Sequence, residues 1–440
     1  MKNRTNDHTP HTHDHSRRHF LKMGASVLGA TVLASTQTGA MLDACNTLWT
    51  TQSENSAQSM PLGGGDIGLN VWVQNGQLLF YIARSGCFDE NNQILKLGRV
   101  RISFTPNPFA QDQPFRQELK LRHGYVELQG TLPDGQPLLA KIWVEIHRPV
   151  IHVDIDAQSP LSIQATYESW RTEPREIPPG VENRFPCLNL WEYPGPVYTY
   201  PDEVRFDGQS ILWYHRNRND DLVVDKMIKQ QGLEEVRDQI PNPLRNRTFG
   251  GLIDADNLAP AGTTSGQYAG TDFLAWTLKT NHPAPSHRLR IVLHTAQTET
   301  LDQWRCQLEN IARQAHDQAQ TAWHVHQDWW KNFWDRSHIF INPDKPDPSD
   351  PAWCVGRNYQ LFRYMLACNA YGLYPTRFNG GLLTFDPAFV QVDGASQPFS
   401  QTNQTPDYRC WGEGSTAQAQ RWCYWPLTVK SDSISRSILH

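Results

Sequence analysis

At 440 residues the chain has room for two or three domains and a full-sized core. Hydrophobic residues make up 39%, charged residues 19%, and the formal net charge is −5, a soluble globular balance without the basic surplus of a nucleic-acid binder. The 16 Trp, 14 Tyr and 17 Phe suit either a dense core or rings that stack on sugars.

Residues 1–40 read as an export address. Arg17 and Arg18 in SRRHFLK precede a mildly apolar run from Met23 to Ala34, and Thr38-Gly39-Ala40 offers a small-residue cleavage site. This is the pattern of a twin-arginine signal, which predicts use of the twin-arginine export machinery and a periplasmic or secreted protein. The run is too short for a permanent membrane span. His8, His11, His13 and His15 lie in the segment to be removed and are given no metal role. Leu42 to Cys45, LDAC, resembles a lipid-attachment box in which Asp43 fits badly, so anchoring at Cys45 is a minor alternative. The other cysteines, Cys87, Cys187, Cys306, Cys354, Cys368, Cys410 and Cys423, form no CxxC pair and predict neither a zinc ribbon nor a particular disulfide.

Residues 41–295 carry period-2 patterning. Leu69, Val71 and Val73 alternate with polar neighbours, Asn75-Gly76 supplies a hairpin turn, and Leu78, Phe80 and Ile82 resume the alternation. Ile142, Val144 and Ile146 repeat it, as do Ile151, Val153 and Ile155. A large two-sheet β-sandwich is the expected solution. From Leu301 the spacing becomes helical, through Trp304, Leu308, Ile311, Ala315 and Ala322 towards Trp330 and Phe333. One or two amphipathic helices and a proline-rich linker therefore make up residues 296–345. In residues 346–440, NYQLFRYMLACNAYG reads as a further buried helix closed by Gly372 and Pro375.

MPLGGGDIGLNVWV, HVHQDWWKNFWDRS, RYMLACNAYGLYPTRFNGGLLTFDP and AQAQRWCYWP occur here in one order. In that order the chain resembles bacterial glycoside hydrolases related to the inverting α-L-fucosidase family, especially a branch known only as a domain of unknown function. The resemblance spans nearly all of the mature chain. It implies an N-terminal β-supersandwich, a helical linker and the first helices of an (α/α)6 barrel. It also implies that the segments around Asn379 in FNGG and Trp425 in YWP line a sugar pocket, and that amides before YWP orient the catalytic base. Ala419 stands where relatives carry an amide, and Gly64 where they carry Asn.

Read from residues alone, glycosidic hydrolysis needs two carboxyl groups, held about 6.5–9.5 Å apart around a water in an inverting enzyme. The catalytic candidates in aromatic or glycine-rich surroundings are Glu413, Asp386 and Asp407. Each could instead cap a helix or pair with Arg377 or Arg409. Asn379, Gln418 and Gln420 offer amides to sugar hydroxyls. Trp411, Trp422, Tyr424 and Trp425 offer stacking faces or barrel-core packing. In YESWRTEPRE, Glu168, Trp170, Arg171 and Glu173 could reach over the site or form an interface ion-pair network, and His215, Arg216 and Asn217 in WYHRNRND are equally ambiguous. No phosphate loop, zinc spacing or GxSxG elbow is present, so no cofactor or metal is expected.

A complete barrel takes about twelve helices and roughly 300 residues, and fewer than a hundred follow the linker. In the resembling enzymes both catalytic carboxyls lie beyond YWP. The expectation is an incomplete barrel, truncated or frameshifted, on an exported carbohydrate-active protein that acts on an oligosaccharide or polysaccharide. Its full-length form would be inverting, and this form catalytically inactive. The alternative is a noncatalytic glycan-binding or scaffolding β-sandwich module.

Overall fold

The computed structural model describes residues 38–187, 190, 192–374, 382–390 and 405–409. Fifteen strands form one antiparallel sheet. In its first part lie β1 (Thr47–Trp49), β2 (Met60–Gly64), β3 (Ile67–Gln74), β4 (Gln77–Phe88), β5 (Ile94–Thr105), β6 (Arg116–Lys120), β7 (Tyr125–Thr131), β8 (Pro137–Val144) and β9 (Val150–Ser169). Then follow β10 (Glu203–Asp207), β11 (Ser210–Arg216), β12 (Arg247–Ala255), β13 (Leu258–Tyr268), β14 (Thr271–Thr280) and β15 (Ala284–Gln297).

The segments read as strands at Leu69–Val73 and Leu78–Ile82 are β3 and β4, joined at Asn75-Gly76 with φ values of 51° and 73°, but both faces of each are buried rather than one. Such left-handed angles at both turn residues match the twist of a hairpin, and Asn-Gly tolerates them best. Ile146 falls outside the strand that holds Ile142 and Val144, because β8 ends at Val144.

The two layers of the expected sandwich are continuous through β9, which joins the two halves, and a separate two-stranded ladder pairs Arg175–Glu176 with Tyr198–Thr199. The first part of β9 pairs with β8 and β15, and its last part, from Ser162, pairs with β5 and β14. The ladder is interrupted between these parts, where Pro160 has no N–H to contribute and costs no hydrogen bond. One half runs β1-β6-β7-β8-β9-β15-β12-β11-β10, and the other joins β2-β3-β4-β5 and β13-β14 through the same strand. The sheet curls so that Leu62, Leu69 and Val71 share one buried apolar cluster with Leu119, Val126 and Ile142. The contact is close at Gly64, where an added Cβ would lie 2.8 Å from the Val144 carbonyl oxygen.

Helix α1 (Val223–Gln230) lies within the β11–β12 connection, and the helical connector after the sheet consists of α2 (Leu301–Asp317) and α3 (Ala319–Arg336). Thr300 and Gln303 form a reciprocal capping box at the start of α2. Trp304, Leu308 and Ala315 pack with Val150, Leu212 and Val292. On α3 the buried stripe is Ala322, His326, Trp330, Phe333 and Trp334. Trp330 lies so close to Gly124 that a Cβ there would meet its Nε1 at 2.0 Å.

The last described helix, α4 (Pro351–Ala367), begins earlier and ends sooner than the NYQLFRYMLACNAYG reading. Asp350 accepts from the Ala352 N–H, and Pro351 takes the first helical position, where its missing N–H costs nothing. Pro351 is therefore the first residue of this helix. The residues Cys368 to Tyr371 form turns. Trp72, Trp213, Trp304, Trp330 and Trp334 are fully buried, so part of the tryptophan richness is core. Among the described residues no helix is long and apolar enough to cross a membrane.

Candidate functional site

Strand β4 is apolar at successive positions, Leu78-Leu79-Phe80-Tyr81-Ile82, so both faces need cover. Leu78, Phe80 and Ile82 face the core, while Leu79 and Tyr81 cluster with Trp72 and Trp170 on the other side. Here β5 contributes Lys96 and Arg99, 1% exposed each, and the end of β9 contributes Glu168, Trp170 and Arg171. Gly98 between the two cations has φ 90°, and the Tyr167 ring would stand 2.4 Å from a Cβ there. Only glycine allows the strand to bend at this point.

Segments 382–390 and 405–409 dock on this outer face and bring Asp386 and Asp407. Asp386 accepts from Ser56 Oγ and from Tyr81 Oη at 2.8 Å. Asp407 accepts from Trp170 Nε1 at 2.6 Å, Arg171 Nη1 at 2.7 Å and the Lys96 backbone N–H at 2.8 Å. Both carboxylates are buried, at 1% and 6% exposure. The cation that pairs with Asp407 is Arg171.

Arg171 also extends a chain of charges into the protein. Its Nη2 donates to Asp202 at 2.7 Å and to the Lys96 carbonyl at 2.8 Å. Asp202 faces His215 Nδ1 at 3.2 Å, and His215 Nε2 faces Glu90 at 3.3 Å. Burial opposes a charged imidazole, but Glu90 and Asp202 overcome it and raise His215 to about 10. Burial likewise opposes a charged Arg171, and Asp202 and Asp407 hold it firmly protonated. Asp89, beside this chain, is pushed up to about 7 by burial and then by Glu90. Burial, with Arg409 nearby, lowers Lys96 well below the ordinary lysine range; its Nζ donates to Thr384 Oγ1 at 3.1 Å. Arg409 itself is pushed down to about 10 by burial. Glu168 is bound by Arg99 and by Arg101, the latter at 2.6 Å.

Of the residues expected at a site, the fold brings together Asp386, Asp407, Trp170 and Arg171. Asn379, Trp411, Glu413, Gln418, Gln420, Tyr424 and Trp425 lie outside the described residues, as do Arg17 and Arg18 of the export signal. Cys45 is buried in the core, and burial raises its thiol to about 11. A small cleft of about 50 Å³ opens beside the cluster, with Gln93, Trp170, Arg171, Glu173, Thr405 and Asp407 among its walls. Sequence reading missed Tyr81, Lys96, Arg99 and Asp202. The available signal was the doubly apolar β4 followed by cations in β5: an outer face that must be covered by something carrying acids.

The sequence matches the family described as Domain of unknown function (DUF5703), in its N-terminal region, over residues 48–339. The chain belongs to this DUF5703 family. The match takes in the whole curled sheet and the α2–α3 connector. No curated protein matches the chain. Among solved structures, a protein described as a kojibiose phosphorylase from the human microbiome is similar at 11% identity and a TM-score of 0.40, over 77% of this chain and 43% of that one. A bacterial glucoamylase complexed with acarbose is similar at 8% identity and a TM-score of 0.34, over 76% of this chain and 47% of that one. The DUF5703 chain thus spans less than half the length of either protein.

Proposed function

We propose that this DUF5703 protein is exported through the twin-arginine pathway, on Arg17 and Arg18, and acts on an oligosaccharide or polysaccharide as a glycoside hydrolase-like protein. In this reading the curled sheet is a β-supersandwich, the helices after it open an (α/α)6 barrel of the fucosidase-like kind, and hydrolysis proceeds with inversion. The observation that carries the reading is the docking of segments 382–390 and 405–409 on Trp170 and Arg171. It sets an indole, a guanidinium and carboxyl groups around one small cleft at the end of β9. Aromatic faces with planar polar groups are suited to sugar rings and their hydroxyls.

Within this site Asp407 and Asp386 are positioning residues. A general acid must keep a proton available to the leaving oxygen, and a base must reach a water. Asp407 spends its oxygens on three donors and Asp386 on two hydroxyls. Glu413 is the remaining acid candidate, with Asn379, Gln418, Gln420, Trp411, Tyr424 and Trp425 as sugar contacts. The same expenditure of Asp386 and Asp407 favours a second reading, a noncatalytic glycan-binding module.

Aryl glycosides and reducing-end release from oligosaccharides separate the two. Turnover that falls at least about a hundredfold in Glu413→Gln, with folding unchanged, is the enzyme outcome, since losing an acid–base residue costs roughly 10²–10⁴. Binding without turnover decides for the module. Absence of both binding and turnover on every tested glycan refutes the carbohydrate reading.

A further inference from the structure

We propose that a second cleft, at the turn between β3 and β4, binds a neutral saccharide independently of the Trp170–Asp407 site. The cleft encloses about 720 Å³, within the range of pockets that hold small ligands. It lies at Asn75-Gly76, six residues along β4 from Tyr81, or roughly 20 Å at strand spacing.

Its floor is fixed. Gln52 is tied at both ends of its amide: Nε2 donates to the Phe109 carbonyl at 2.8 Å, and Oε1 accepts from the Gly76 N–H at 2.9 Å. Phe115 is half-buried against the edge of Phe109, with ring centroids 5.8 Å apart. Its walls are uncommitted. The side chains of Thr50, Thr51, Asn75, Gln111 and Gln113 line the cleft, and none makes a hydrogen bond among the described residues. These hydroxyls and amides come from three separate connections, so they face one another across the opening.

The ligand class follows from charge. Glu54 is the one ionisable side chain in the lining, and no Lys, Arg or His accompanies it. An anion would find no counter-charge and a carboxylate opposing it, whereas alternating donors and acceptors around an aromatic floor suit a neutral polyol. The cleft beside α1 is different. It encloses about 560 Å³, but Arg237 and Arg245 are bound to Asp225, and Gln297 to the Asn242 and Arg245 carbonyls. Its polar groups are largely spent on each other. That the neutral polyol is a saccharide rests on the carbohydrate reading above.

Affinity electrophoresis of the whole protein in gels containing arabinoxylan, galactomannan or hydroxyethylcellulose tests the inference, with polygalacturonate as the anionic control. At least one neutral polysaccharide should retard the protein. The double variant Gln111→Ala/Gln113→Ala should weaken that retardation at least about fivefold, as loss of one or two ligand hydrogen bonds would. In a Trp170→Phe background, the retardation that remains should still fall by the same factor in the double variant. No retardation by any of the three, equal retardation of the double variant, or equal retardation by polygalacturonate overturns the inference. Retardation lost only in Trp170→Phe also overturns it, while supporting the site at the end of β9.

Discussion

Between the two halves of the sheet, Leu69, Val71, Val126 and Ile142 belong to a single apolar cluster. On the outer face of β4 and β5, equally buried side chains include Lys96, Arg99, Asp386, Asp407 and Arg171. The two regions are removed from water to a similar degree but hold together by different physics. Apolar contacts are non-directional, and each contributes a little regardless of which neighbour supplies it. A buried charge is costly until its own partner arrives, so the outer face tolerates few substitutes. The inner region can assemble from strand patterning alone. The outer one is complete only when residues more than 200 positions apart in the chain meet, as Trp170 and Asp407 do.

The strongest way to break this contrast is Arg171→Ala. It strands Asp202 and Asp407 without their shared cation, and should cost about 3–5 kcal/mol in denaturant unfolding. The double variant Arg171→Met/Asp407→Leu should recover much of that loss. A loss below ~1 kcal/mol for the single variant would mean that the docked segment contributes little to the fold.

His215→Gln should come next, with a pH signature. The folded-state pKa of His215, about 10, lies above its ordinary 6.5. The stabilisation is therefore complete below pH 6.5 and disappears as pH rises through about 10. The difference in Tm between the native protein and the variant should be largest near pH 6 and close to nothing above pH 10. A difference independent of pH would remove the charged-imidazole account.

Tyr81→Phe deletes the hydroxyl that Asp386 and Arg99 share, the latter at 3.0 Å. A hydrogen bond to a charged group is worth about 1.5–3 kcal/mol, and that is the expected loss. The smallest effect should come from Ile142→Val in the inner cluster, about 0.5–1.5 kcal/mol, because neighbouring side chains relax around one missing methylene. If Ile142→Val proved as costly as Tyr81→Phe, the inner core would be as exacting as the outer face.

The legibility of the sequence followed the same divide. The β3–β4 hairpin could be read because Asn75-Gly76 and the flanking alternation are local signals. The α2–α3 pair could be read because Trp304, Leu308 and Ala315 recur at helical spacing. The start of α4 was placed too late because the apolar spacing around Tyr364 outweighed the Asp350-Pro351 start signal. At the site, Trp170, Arg171, Asp386 and Asp407 could be nominated as residue types in suggestive surroundings, but the partner of each could not. Arg377 and Arg409 were the cations that the sequence offered for pairing; the one observed on Asp407 is Arg171, from the end of β9.

By itself, then, the sequence determined the period of each strand, the hairpin turn and the helical connector, because these depend on neighbours a few residues away. The apolar run of β4 also carried a need for cover on both faces, which the alternation reading passed over. Only the tertiary structure decided that β9 serves both halves of the sheet and which cation meets which carboxylate. Ion pairing between distant segments depends on distances in space, and spacing along the chain does not encode them.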